Sequence, residues 1–132
     1  MQKGGMLNSA IAKVLADLGH TDTIVIGDCG LPVPEGVLKI DLALKPGTPS
    51  FMEVVAEVAK NMVIEKVEMA SEVEERNPEV FDAMKQLFPN EQWIMDVDHE
   101  AFKKATAKAK CVIRTGEITP YANVILHSNV FF

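Results

Sequence analysis

The 132 residues read as an α/β protein, a three-layer α/β/α arrangement around a mostly parallel central sheet. Two observations predict this class. Strand-like and helix-like segments alternate along the whole chain, which favours parallel pairing with helices on both faces. The run Ile24-Val25-Ile26 is continuously apolar, as a strand covered on both faces must be. Length adds a bound: one domain, residues 1–132, able to bury about two-thirds of its unfolded surface.

The elements follow in order. Leu7, Ile11, Val14, Leu15 and Leu18 recur at helical spacing, with Asn8 or Ser9 as the cap and Gly19 as a left-handed stop. Thr23 to Asp28 reads as a buried strand. The prolines and glycines of Cys29 to Gly36 forbid regular structure there. Val37 to Leu44 reads as the next strand, and Lys45-Pro46-Gly47-Thr48-Pro49 breaks it. Ser50-Phe51-Met52-Glu53 has the form of a capping box, opening a helix whose inner face is Val54, Val55, Val58 and Met62. Met62 to Ala70 reads as strand. Asn77-Pro78 places a cap before a first-turn proline, and Val80, Phe81, Met84, Leu87 and Phe88 form an apolar face behind it. Trp93–Val97 is expected as strand, His99–Lys108 as helix, and Cys111–Arg114 and Asn123–Leu126 as strands.

Composition excludes several classes. Hydrophobic residues are 48% and charged residues 24%, ordinary for a globular chain and unlike a disordered one. No run of about 18 apolar residues is present, so no membrane helix is expected. The net charge of −6 supplies no field to draw in nucleic acid or anionic lipid. The N-terminal segment carries Lys13 and Asp17 where a secretion signal needs an unbroken apolar core, and the two cysteines lie far apart. A reduced cytoplasmic setting is expected, with neither a disulfide framework nor a four-ligand zinc site. Phosphate-loop, dinucleotide, zincin and serine-elbow motifs are missing, and Asp28 beside Cys29 opposes thiolate formation. Acid–base isomerisation and plain binding remain.

In open α/β sheets, ligands bind beyond the carboxyl ends of strands. Asp28, Asp98-His99 and Arg114-Thr115-Gly116-Glu117 occupy such positions. His20 is either an exposed histidine suited to a helix C-terminus or a proton shuttle, since imidazole titrates near neutrality. Asp28 is either a turn former or a carboxylate that orients a histidine or a polyol. His99 is a helix-start residue behind an Asp98 cap, or a ligand. Tyr121 anchors a turn or binds a hydroxyl. Arg114 and Glu117 could form a surface ion pair, and His127 reads as a packing or surface residue. The apolar end Val130-Phe131-Phe132 is covered either by the body or by a neighbour.

The segments Leu7-Asn8-Ser9, Leu18-Gly19-His20-Thr21-Asp22, Asp28-Cys29-Gly30-Leu31-Pro32-Val33-Pro34, Asp98-His99-Glu100, Arg114-Thr115-Gly116-Glu117 and Thr119-Pro120-Tyr121-Ala122-Asn123, taken together and in order, resemble the D-ribose pyranase family. The L-fucose mutarotases are its sibling group and share the fold. The resemblance implies interconversion of the β-pyranose and β-furanose forms of D-ribose, which supplies furanose to ribokinase. It implies His20 as the catalytic residue, with Asp28, His99, Tyr121, Ala122 and Asn123 binding the sugar. It also implies ring-based homodecamers with sites at subunit interfaces. This chain departs at Gly27 and Cys29, where the family often has alanines.

Such chemistry needs no metal, cofactor or covalent nucleophile. One positioned acid–base pair, contributing about 10²–10⁴-fold, is adequate for a reaction that already proceeds slowly in water. Two alternatives stand beside it: a mutarotase of another sugar such as L-fucose, and a sugar-binding module without turnover. The ribose reading requires the His20 imidazole and the Asp28 carboxylate to converge on one sugar molecule.

Overall fold

The computed structural model describes residues 1–132. In chain order the elements are α1 (Ser9–Asp17), β1 (Thr23–Gly27), β2 (Leu38–Asp41), α2 (Phe51–Ala59), β3 (Ile64–Glu68), α3 (Glu72–Arg76), α4 (Pro78–Leu87), β4 (Gln92–Ile94), α5 (His99–Ala105) running into a 3-10 turn (Thr106–Lys108), β5 (Cys111–Arg114) and β6 (Val124–Ser128).

The six strands form one sheet in the order β2-β5-β1-β6-β3-β4. β1 pairs in parallel with β5, β5 with β2, and β3 with β4. β6 lies antiparallel between β1 and β3. The expected mostly parallel sheet is present, and β6 is its one reversed strand. The reason is local: β6 follows β5 through residues 115–123, which contain no helix. A parallel return needs a crossover of a dozen or more residues, so the chain comes back reversed.

Alternate residues of the central strands serve two unequal layers. Ile24, Ile26, Ile113, Val124 and Leu126 face the larger core, against Ile11 and Val14 of α1, Phe51, Val55 and Val58 of α2, and Val80 and Met84 of α4. Val25, Val112 and Ile125 face a smaller one, filled by Phe102, Ala109 and Leu31. Helices α1, α2 and α4, with Val73 of α3, cover one face, and α5 with its 3-10 turn covers the other. No helix is long and apolar enough to cross a membrane.

The caps follow the sequence closely. Asn8, Ser50, Asn77 and Asp98 each accept a hydrogen bond from the backbone N–H three residues on. The first helix does not end as expected. Leu18, not Gly19, closes it, in an extended conformation, and the left-handed residue of that turn is Thr21 at φ +75°. The Asp22 carboxylate accepts the Gly19 N–H at 2.9 Å and supplies the stop that a left-handed glycine would have provided. Residues 72–76 form the short helix α3, for which the sequence showed no periodic signal. The second, third and fourth strands are shorter than their apolar runs, because pairing partners end before the apolar residues do.

Candidate active site

Asp28 sits immediately beyond β1. Its Oδ1 accepts the Gly30 N–H at 2.9 Å and its Oδ2 accepts the Asn123 side-chain amide at 3.0 Å. Asn123 Oδ1 in turn accepts the Asp28 N–H at 2.9 Å. This reciprocal pair exists because β6 runs against β1, so the residue before β6 lies beside the residue after β1. Asn123 is buried, and the exchange satisfies polar groups that would otherwise be stranded.

The loop before β6 carries the rest of this corner. Tyr121 is in the left-handed region at φ +57°, and its ring meets the His99 ring edge-on, centroids 5.2 Å apart. His99 opens α5 and stacks on Phe102. Its backbone N–H donates to both Glu72 oxygens, at 2.9 and 3.1 Å. Burial pushes the Glu72 carboxyl up, but N–H donation from His99 and from its own backbone, with the Ser71 hydroxyl, outweighs it and leaves the group below its ordinary value. Ala122 is wholly buried in the larger core, so only its backbone can face a ligand.

Two residues outside the expected set support this corner. Asn77 caps α4 with its oxygen and donates its Nδ2 to Thr119 Oγ1 at 2.9 Å and to Pro120 O at 2.8 Å. Glu117 accepts from Phe51 N at 3.0 Å and from Thr119 Oγ1 at 2.9 Å. Burial raises the Glu117 carboxyl, yet the Phe51 N–H and the Thr119 donors overcome this and hold it below the usual range. The expected Arg114–Glu117 ion pair does not form. Arg114 reaches Asp41 at 3.2 Å and Cys29 O at 3.0 Å, because parallel pairing of β2 with β5 sets Asp41 beside it. His127, on β6, pairs with Glu68 at 2.9 Å and lies outside this corner.

His20 is elsewhere. It precedes β1, while Asp28 follows it, and the five residues of β1 alone extend about 16 Å. The turn carrying His20 is fixed to the far end of β6: Thr21 N–H donates to Ser128 O at 3.2 Å, and Ser128 N–H to Asp22 O at 2.8 Å. The imidazole is half exposed, with its Nε2 3.9 Å from Glu65 Oε2 on β3. It lines a cavity of about 430 Å³ together with Leu18, Met62, Asn129, Phe131 and Phe132. The cavity lined by Cys29, Leu44, Lys45, Arg114 and Gly116, next along the chain from Asp28, does not include His20. Within one chain the structure therefore gathers Asp28, His99, Tyr121, Ala122 and Asn123 at one end and leaves His20 at the other. No group of three or more His, Cys, Asp or Glu side chains is placed to hold a metal ion.

Residues 1–131 match the model of the RbsD / FucU transport protein family. The chain belongs to that family. Among RbsD / FucU relatives, it is 62% identical to the D-ribose pyranase of Bacillus licheniformis and 58% identical to that of Exiguobacterium sibiricum, each over 132 residues and the full length of both chains. A solved structure of Bacillus subtilis RbsD complexed with D-ribose is 55% identical, superimposes with a TM-score of 0.98 and covers all of both chains. FucU from Bifidobacterium longum, 20% identical at a TM-score of 0.76 over 96% of this chain and 97% of that one, shares the fold.

Glu65 is a position that the sequence did not single out, and Asn77 one whose part in this corner it did not show. Asn77 carried only its capping signal, and the second use of its side chain depends on a loop 42 residues away. Glu65 sat within an apolar-flanked strand with no local mark of its nearness to His20.

Proposed function

We propose that this chain is an isomerase that interconverts the pyranose and furanose forms of D-ribose through the open aldehyde, providing furanose for phosphorylation in the cytoplasm. The observation that carries this reading is full-length identity of 57–62% to D-ribose pyranases, together with the near-superposition on a relative complexed with D-ribose. Residues 1–132 act as one sugar-mutarotase-like domain.

In this reading a base takes the anomeric O–H proton as the bond from C1 to the ring oxygen breaks and an acid protonates that oxygen. The chain rotates, another hydroxyl attacks the aldehyde carbon, and the proton transfers run in reverse. His20 is the acid–base group. Asp28, pinned by Asn123 and Gly30, presents a fixed carboxylate to sugar hydroxyls, beside His99, Tyr121 and the Ala122-Asn123 backbone. Holding the polyol in one geometry supplies the remainder of the rate.

In this reading the separation of His20 from Asp28 is met by building the site from two chains. His20 of one protomer meets the Asp28 corner of the next. Exposed apolar side chains at both ends support it: Val63, Phe131 and Phe132 at the His20 end, Phe131 and Phe132 at 88% and 93%, and Leu44 and Ile118 near the Asp28 end. Two unlike surfaces joined head to tail close into a ring, and two rings give the decamer. This accounts for an apolar C-terminus that the body of the chain leaves uncovered.

The test is NMR saturation transfer between the ring forms of ribose with and without protein, with particle sizing alongside. Catalysed exchange from a ring-sized assembly supports the reading. Ribose binding without accelerated exchange removes the enzyme and leaves a binding module, and faster exchange on fucose than on ribose transfers the activity to that sugar.

A further inference from the structure

His99 carries a polar atom that nothing in the chain satisfies. Its Nδ1 is buried without a hydrogen-bond partner, whereas Nε2 is not enclosed. The ring plane sits between two aromatic neighbours, nearly parallel to Phe102, with planes 8° apart, and nearly perpendicular to Tyr121, at 86°. Its backbone N–H is held by Glu72.

The carboxylates around α5 have other partners. Glu72 accepts backbone N–H, Asp98 accepts from Ala101 N, and Glu100 pairs with Lys103 at 2.8 Å. None of them hydrogen-bonds to Nδ1. A proton on that nitrogen would be a buried donor without an acceptor, which forfeits its full hydration, and such orphaned N–H groups are rarer than orphaned acceptors. A bare lone pair at Nδ1 is the less unfavourable arrangement. It places the ring proton on Nε2.

We propose that His99 rests as the Nε2–H tautomer and acts as a fixed hydrogen-bond donor to a sugar oxygen, leaving proton exchange to His20. The proposal rests on the Asp28–His99 corner being the sugar-binding half of the site. To the sugar-binding role that the resemblance implies for His99 it adds which ring nitrogen donates, and that this proton is not exchanged. A donor-only group selects an oxygen with a free lone pair, and the pyranose ring oxygen is the one sugar oxygen that can only accept. There the donor would favour the negative charge that gathers on that oxygen as its bond to C1 breaks. The proton stays on His99 throughout.

Long-range proton–nitrogen NMR correlation on the full chain labelled with nitrogen-15 histidine, without sugar, reads which ring nitrogen carries the proton, with the His99 signals assigned by their loss in His99→Gln. The expected pattern is Nε2–H. A proton on Nδ1 overturns the proposal. Ribose affinity provides the second readout. His99→Gln places amide protons near the position of Nε2, whereas His99→Asn reaches only to that of Nδ1. His99→Gln should bind ribose within about tenfold of the parent and His99→Asn more weakly, since a tenfold change is about the worth of one hydrogen bond. The reverse order overturns the donor role. An Nε2–H pattern with ribose affinity unchanged in both variants and in His99→Ala also overturns that role and shows that the fault lies in the placement of the sugar, not in the tautomer.

Discussion

Mixing two inactive variants tests the separation of His20 from Asp28 by the length of β1. His20→Ala removes the proposed acid–base group and leaves the Asp28 corner whole. Asp28→Asn damages the corner and leaves His20 whole. β1 sets the two ends about 16 Å apart, beyond the reach of any side chain, so neither variant can repair itself within one chain. In the proposed head-to-tail ring each site takes His20 from one protomer and the corner from its neighbour. A site works only when the first is an Asp28→Asn chain and the second a His20→Ala chain. With equal amounts randomly assembled, each condition holds half the time, so about one quarter of sites should be intact. The variants are unfolded together, refolded, and assayed by saturation transfer between ribose ring forms. The mixture should recover about a quarter of parental exchange, while each variant refolded alone stays at background. Background exchange in a mixture whose size and helix content match the parent would refute the two-chain site.

Further outcomes follow from single contacts. Glu65→Gln removes the carboxylate 3.9 Å from His20 Nε2 and should lower kcat about tenfold with ribose affinity unchanged, read from exchange rates across ribose concentration. Asn123→Ala strands the Asp28 N–H and frees its carboxylate, and should destabilise the chain by about 1–3 kcal/mol in denaturant unfolding. Gly116→Ala would place a methyl group within 2.6 Å of the Thr48 backbone N and C atoms, so it should lower Tm far more than a surface change of the same size. The Glu117 carboxyl, depressed in the folded chain, contributes stability that is present above its ordinary value of 4.5 and lost as pH falls through the folded value. Glu117→Gln should therefore be less stable at neutral pH and lose less on acidification, seen by comparing Tm near neutrality and at about pH 3. Burial pushes the Cys111 thiol up to about 12, so a disulfide-exchange probe at neutral pH should modify the half-buried Cys29 and spare Cys111.

Much of this protein is written locally. The alternation of Ile24-Val25-Ile26 with the helical spacing of Ile11, Val14 and Leu15 sufficed for an α/β layer structure, since burial on both faces and an amphipathic stripe are properties of a few consecutive residues. Asn8, Ser50, Asn77 and Asp98 were legible as caps, because a cap bonds three residues away along the same chain. Asp28, His99, Tyr121 and Asn123 were legible as candidates from their places in a resembling pattern, and the fold does gather them. Other features depended on distant partners. The reversed β6 came from what the 115–123 connection lacks, and it brought Asn123 to Asp28 across 95 residues of sequence. The Arg114 partner was set by strand register, which put Asp41 beside it. The isolation of His20 from the Asp28 corner belongs to the same class. Sequence names the residues flanking a strand, but only the extended backbone between them determines that they point to opposite ends of the molecule.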